Sequence, residues 1–372
     1  MLVVGRLILD GSEDGDCTQG GDGAWGGDGA QDGDGAWGRD GERTILLDGE
    51  SGRVYLTDLY PGVSTPEREL LAPDLETLLR FEAAVAELDG LHGRFQDLRG
   101  RFGIRVVEEA ARRLTAVLEQ GMGDADVPAY WLVAAQIRPL ALGAGPGKDP
   151  VHELALDLPE RLLDEEFGAS GVVRFEDVDF PTALKHEPTR RFLREVGLPE
   201  DGFMFLLDAD VPLPTLASYY AESDSESVEE CGFALPTSAG RLIRLGSLIE
   251  EIDVVVEGST GRVLGWYGVE GVLRPVNADV STLAFTLWLL HREKELDELE
   301  EVTYEAYEAA ASAMVAVLAG KDPVACAPAG PVGAAGGAGG TGSAGGTGEA
   351  EAQARGWRYW PEAFRDEGGG VL

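Results

Sequence analysis

The chain has 372 residues, of which 67 are acidic and 30 basic, giving a formal net charge of −37. Such a field repels nucleic acid and anionic membrane surfaces and attracts basic partners, although solubility alone also accounts for an acidic surface. The length suits two domains of ordinary size, each able to bury its own core.

The first residues, MLVVGRLILDG, read as a strand. They lack the basic start and long apolar core of a secretory signal. A Gly/Asp-rich tract over 11–41 follows. It offers too little apolar surface to offset the entropy of ordering it, so it reads as a flexible insertion. Its GGDGAWGGDGA segment lacks the nonapeptide spacing of a calcium-binding roll. Thr44–Leu47 and Arg53–Leu56 form a hairpin turning through Gly49 to Gly52. A first helix starts at Asp74, whose side chain suits an N-cap. A second carries Val107, Ala110, Ala111, Leu114, Val117 and Leu118 on one apolar face. A Tyr130-Trp131 pair follows.

The second half opens with a short helix around Leu158–Phe167, then ALKHEPTRRFLREVGLP at 183–199. Pro188 stands in the first turn of that helix, and Gly197 with Pro199 stops it. Phe203–Leu207 and Arg241–Leu245 are short strands, and Ile252–Glu257 with Arg262–Tyr267 make a hairpin across Gly258 to Gly261. A helix begins at Asp279, and the next carries Tyr307, Ala310, Ala311, Met314, Val317 and Leu318 at the same spacing as its earlier counterpart. The Gly/Ala/Thr tract inside 327–350 reads as a second flexible insertion. Tyr359-Trp360 closes the series.

The order is therefore written twice. GRLILDG (5–11) returns as GRLIRLG (240–246), and ILLDGESGRV (45–54) as VVVEGSTGRV (254–263). EEAARRLTAVL (108–118) returns as EAAASAMVAVL (308–318), and the Tyr-Trp pair recurs last. Copy one is longer by about 26 residues between the first two anchors, and copy two by about 29 between the last two, which places the two insertions. The expected units are 1–145, lacking the front that precedes GRLIRLG in copy two, and a fuller 150–372. Either translation begins upstream, or copy one has lost its front.

No catalytic constellation emerges. No GxSxG elbow, GxxxxGK[ST] loop or dinucleotide fingerprint occurs, and paired carboxylates are too common here to single any out. His92 and His291 are read as exposed residues following the first helix of each copy. Cys17, Cys231 and Cys326 are far apart and match no zinc or disulfide spacing, so no metal and no cofactor is expected and a reducing cytoplasm fits best. No stretch is long and apolar enough to suggest a membrane span. What remains is interaction chemistry. AESDSESVEE at 221–230 supplies Glu222, Asp224, Glu226, Glu229 and Glu230 without a base, and 291–308 adds another acidic run. Trp266 and Tyr267 serve either as anchors of such an interface or as core packing.

The segments PTALKHEPTRRFLREVGLP (181–199), GRLIRLG, VVVEGSTGRVLGW, VNADVSTLAFTLWLL (276–290) and YWPEAF (359–364) together resemble the SUKH superfamily of bacterial immunity proteins, its fourth subfamily above all. The resemblance covers most of 155–366 and, more weakly, 1–140. It implies an α+β fold, a twisted and largely antiparallel sheet with flanking helices. It also implies a cytoplasmic role in neutralising a polymorphic toxin, such as a nuclease or nucleic-acid deaminase, by protein–protein contact. A basic toxin is the partner that the charge favours. The family has no catalytic residues to carry over. A regulatory or scaffold adaptor on the same fold is the alternative, and a hydrolase built on a carboxylate pair is the third reading.

Overall fold

A computed structural model describes residues 2–7, 43–58, 68–145, 153–208, 211–222, 234–249, 252–297, 300–327 and 359–365. Both Gly-rich tracts, most of the acidic run 221–230, Cys17, Cys231 and His152 lie outside the described residues. The fold is α+β with antiparallel sheets. It divides into two compact units, one of 1–83 with 118–128, the other of 84–117 with 129–372. This division differs from the boundary expected near 145, because 84–117 and 129–145 group with the second half.

The first unit is built on a four-stranded meander: β1 (Leu2–Leu7), β2 (Arg43–Leu47), β3 (Val54–Asp58) and β4 (Arg68–Ala72). Between β2 and β3 the Gly52 N–H donates to Asp48 O (2.8 Å), and Gly52 takes φ +74°, a left-handed conformation that favours glycine. Asp48 accepts from the Ser51 hydroxyl (2.5 Å), closing the turn. Helix α1 (Leu75–Asp89) starts where expected, with Asp74 Oδ1 accepting from Thr77 N–H (2.7 Å). Helix α2 (Ile104–Met122), most of which belongs to the second unit, is buried along Val107, Ala110, Leu114 and Leu118.

In the second unit, helix α3 (Ala129–Ile137) is followed by α4 (Leu162–Phe167), β5 (Val172–Val173), α5 (Glu187–Glu195) and β6 (Leu198–Pro199). The chain then forms β7 (Phe205–Leu207), α6 (Leu216–Glu222), β8 (Leu242–Leu248), β9 (Ile252–Glu257), β10 (Val263–Tyr267) and β11 (Val272–Asn277). Helices α7 (Val280–Asp297), α8 (Glu300–Lys321), α9 (Pro323–Cys326) and α10 (Tyr359–Ala363) complete it. The large sheet is antiparallel in the order β11-β10-β9-β8-β7.

The β9–β10 turn repeats the closing bonds of the β2–β3 turn. Gly261 N–H donates to Glu257 O (2.8 Å) with φ +77°, and Glu257 Oε2 accepts from the Thr260 hydroxyl (2.6 Å). Asp279 caps α7 through Ser281 N–H (2.8 Å), as Asp74 caps α1. The Tyr-Trp pairs meet edge to face in both places, at 5.0 Å and 80° for Tyr130–Trp131 and at 4.8 Å and 86° for Tyr359–Trp360.

The helices differ in what covers them. Every residue of α7 from Val280 to Leu290 is buried. Trp288 Nε1 donates to Glu166 of α4 (3.0 Å), and the His291 ring lies 4.6 Å from that of Phe167. His291 thus sits inside α7, not after it as expected, because the helix runs on through HREKELD to Asp297. On α1, by contrast, Leu75 and Leu79 are exposed one turn apart.

Helix α5 is locked to the β9–β10 turn. The N–H groups of Lys185 and His186 both donate to Gly258 O (2.7 and 2.9 Å), and a Cβ on Gly258 would collide with the Ala183 carbonyl. His186 Nδ1 lies 2.8 Å from the hydroxyl of the fully buried Thr189. Burial holds the His186 ring below its ordinary pKa of 6.5, and Asp279 pulls the other way. The native state therefore binds this proton less readily than the unfolded chain does. The associated stability is complete above pH 6.5 and falls as the pH drops below it. Thermal melts of the wild type should decline more steeply between pH 7 and 5 than those of His186→Asn, and parallel slopes would refute this.

Candidate functional site

The two faces of the five-stranded sheet bury different things. Ile243, Leu245, Val254, Val256 and Val263 point into the main core with α7 and α8. The alternate residues Leu242, Val255, Leu264, Trp266 and Leu273 point the other way and form a second cluster with Leu216 of α6 and Ala239. Strand residues alternate sides, so β10 is buried throughout only because both sides are covered.

On this outer face an ion cluster binds α6 to the sheet. Arg244 on β8 reaches Asp208 through one terminal nitrogen (2.6 Å) and Asp253 on β9 through Nε (2.8 Å). Its guanidinium lies 3.9 Å from the centroid of the Tyr219 ring, a geometry in which the positive group meets the negative ring face. The Tyr220 hydroxyl donates to the second Asp253 oxygen (2.6 Å). Burial, reinforced by that bond, pushes the Tyr220 phenol well above its usual range. Thr215 begins α6 by accepting from Ser218 N–H (3.1 Å). These contacts fix the orientation of α6 and with it the point where the acidic run departs.

Of the residues singled out in the sequence, Glu222 is exposed at the end of α6. Asp224, Glu226, Glu229 and Glu230 lie outside the described residues. Trp266 is 1 % exposed in the outer-face cluster. Tyr267 is 9 % exposed on the inner face, with the Arg274 guanidinium 4.6 Å from its ring. Packing is the role these positions give both rings. Sequence reasoning missed the Arg244, Asp208, Asp253 and Tyr220 cluster. Its signal was present: Arg in the apolar strand RLIRLG and Asp opening IDVVVE are each out of place unless they pair.

Among the described residues, no group of three or more His, Cys, Asp or Glu is placed to hold a metal ion. No helix among them is long and apolar enough to cross a membrane.

A family model described as SUKH-4 immunity protein matches residues 158–366. That span runs from just before α4 to the end of YWPEAF and includes the whole five-stranded sheet, α6 and the α5–hairpin lock. No curated protein and no solved structure matches the chain.

Proposed function

Since the chain belongs to the SUKH-4 immunity protein family, we propose that it binds a polymorphic toxin with a basic surface, a nuclease or nucleic-acid deaminase, in the cytoplasm and neutralises it by contact. The observation that carries this reading is the family match over 158–366, on a chain whose formal net charge is −37. Opposite charge speeds the encounter and disfavours wrong partners. Enzymes that act on nucleic acid present basic surfaces to a polyanion, so an acidic inhibitor competes for the same surface. We assign the contact to Glu222 and to Asp224, Glu226, Glu229 and Glu230, at and beyond the free end of α6. No catalysis, metal or cofactor enters this role.

We also read the chain as two SUKH-like copies, over 1–145 and 150–372. The shared order of meander, Asp-capped helix, second helix and Tyr-Trp pair supports this, as do the matching turn bonds at Gly52 and Gly261. Copy two carries the family match and is the binding unit.

Co-expression tests the function. Cells producing a toxin domain encoded beside this gene should survive only when this chain is present. The purified pair should associate with an affinity that falls at least tenfold between about 50 and 300 mM salt, since exposed charges are screened over a Debye length of about 10 Å at 0.1 M. Absence of rescue would sink the immunity reading.

A further inference from the structure

Among the described residues, α6 packs on the outer face of the five-stranded sheet over β8 to β10 and leaves Leu206 of β7 exposed. Across that face Asp253 pairs with Ser247, and Ser247 with Leu206. Tyr220 of α6 bonds the first residue of this row, while the last, Leu206, is 60 % exposed. Ile249 lies two residues beyond Ser247, diagonal to Leu206, with its N–H donating to Met204 O (3.1 Å). It is 46 % exposed. Diagonal neighbours on adjacent strands lie within reach of one inserted side chain. The backbone at this edge is not itself open, because Leu207 N–H donates to Glu200 O (2.9 Å) and Asp201 bridges to Leu206. The uncovered feature is therefore a pair of apolar side chains.

The chain around them is acidic, although Lys294 of α7 lies 4.9 Å from the nearby Phe203 ring. Residues 195–240 contain ten acidic residues and no Lys, Arg or His. Glu200 and Asp201 are exposed next to Leu206, and Glu222 is exposed at the end of α6. The charge of Arg244 on this face is matched by Asp208 and Asp253. An apolar centre inside a charged rim is the usual anatomy of a protein-binding patch.

We infer that Leu206 and Ile249 form the centre of the contact with a basic protein partner, which inserts an apolar side chain between them and sets Lys or Arg against Glu200, Asp201 and Glu222. The inference rests on the toxin-binding reading and names the surface that would perform it. Leu206 is mostly in water and Ile249 about half so, so Leu206→Ser/Ile249→Ser should melt within a few degrees of the wild type. Its affinity for the purified toxin domain encoded beside the gene should fall at least tenfold, with loss of rescue. Val269→Ser, which removes a 92 % exposed side chain at the β10–β11 turn, should leave affinity unchanged. Leu206→Lys should weaken binding more than Leu206→Glu. If the wild type binds and the double variant binds equally well, the patch is wrong while the immunity reading stands; if the wild type does not bind, that reading itself fails. An equal loss in Val269→Ser, or the reverse order of the Lys and Glu variants, would also overturn the assignment.

Discussion

Replacing Asp322 with Ala is expected to lower the unfolding free energy of the second unit by about 3–5 kcal/mol, since each buried donor left without a partner costs roughly 1–3 kcal/mol. Asp322 is completely buried between α8 and α9. One carboxyl oxygen accepts from the N–H groups of Val324 (3.1 Å) and Ala325 (3.3 Å), capping α9. The other accepts from Asn277 Nδ2 and Ala278 N–H, both at 3.0 Å, at the end of β11. Asn277 passes the connection on, donating to Thr286 of α7 (3.0 Å) and accepting from Trp360 Nε1 (3.1 Å). One side chain thus ties the last strand, two helices and the Tyr-Trp segment together. Complete satisfaction makes such a network stabilising, and partial satisfaction makes it costly. Asp322→Asn, which turns one acceptor into a donor facing other donors, should fall between wild type and Ala. Urea denaturation checks the order, and a loss below about 1 kcal/mol for Asp322→Ala, the range of a single ordinary hydrogen bond, would refute the keystone role.

How much of this was legible in the sequence depended on whether the cause was local. The β9–β10 hairpin could be read because its turn needs a left-handed residue and Gly261 supplies one. Helix α5 could be read from Pro188 and Gly197, and it ends at Glu195 as those signals require. The segment after it could not: Leu198–Pro199 reads as a helix stop, yet it forms strand β6 against Val172–Val173, a partner some 26 residues back. Strand β11 was hidden by Arg274 and Pro275, residues that argue against a central strand. It lies at the edge of the sheet, where a missing N–H costs no ladder bond, and Arg274 is matched by Glu270 (2.5 Å). β4 was masked in the same way by Arg68 and Glu69, again on an edge strand. Trp266 and Tyr267 could not be placed because the deciding fact, that α6 covers the far side of the sheet, depends on contacts between segments some 40 residues apart. The α5–hairpin lock explains why the two stretches that carried the family resemblance go together: Gly258 and Gly261 are the surface on which His186 and its helix rest.

Arg244→Met should destabilise the second unit by about 3–5 kcal/mol, the range for removing one member of a buried ion pair. The loss exceeds that of an exposed pair such as Arg262–Glu257, worth about 0–1 kcal/mol, because water cannot replace the guanidinium between Asp208 and Asp253. A methionine keeps most of the aliphatic stem, so the effect reports charge and hydrogen bonding rather than a cavity. If the cost lies in stranded carboxyl groups, then Arg244→Met combined with Asp208→Asn and Asp253→Leu should recover much of the stability, since apolar or neutral replacement of a buried ion cluster is often tolerated. A triple variant as unstable as the single one would show that shape, not charge, holds α6 in place. The Tyr220 hydroxyl adds a test at high pH. Its pKa is raised in the fold above the ordinary 10.0, so the native state keeps a proton that the unfolded chain releases. That contribution is complete below pH 10 and is lost as the pH rises beyond it, so wild-type stability should decline there relative to Tyr220→Phe. The α6 cover would then loosen from the sheet.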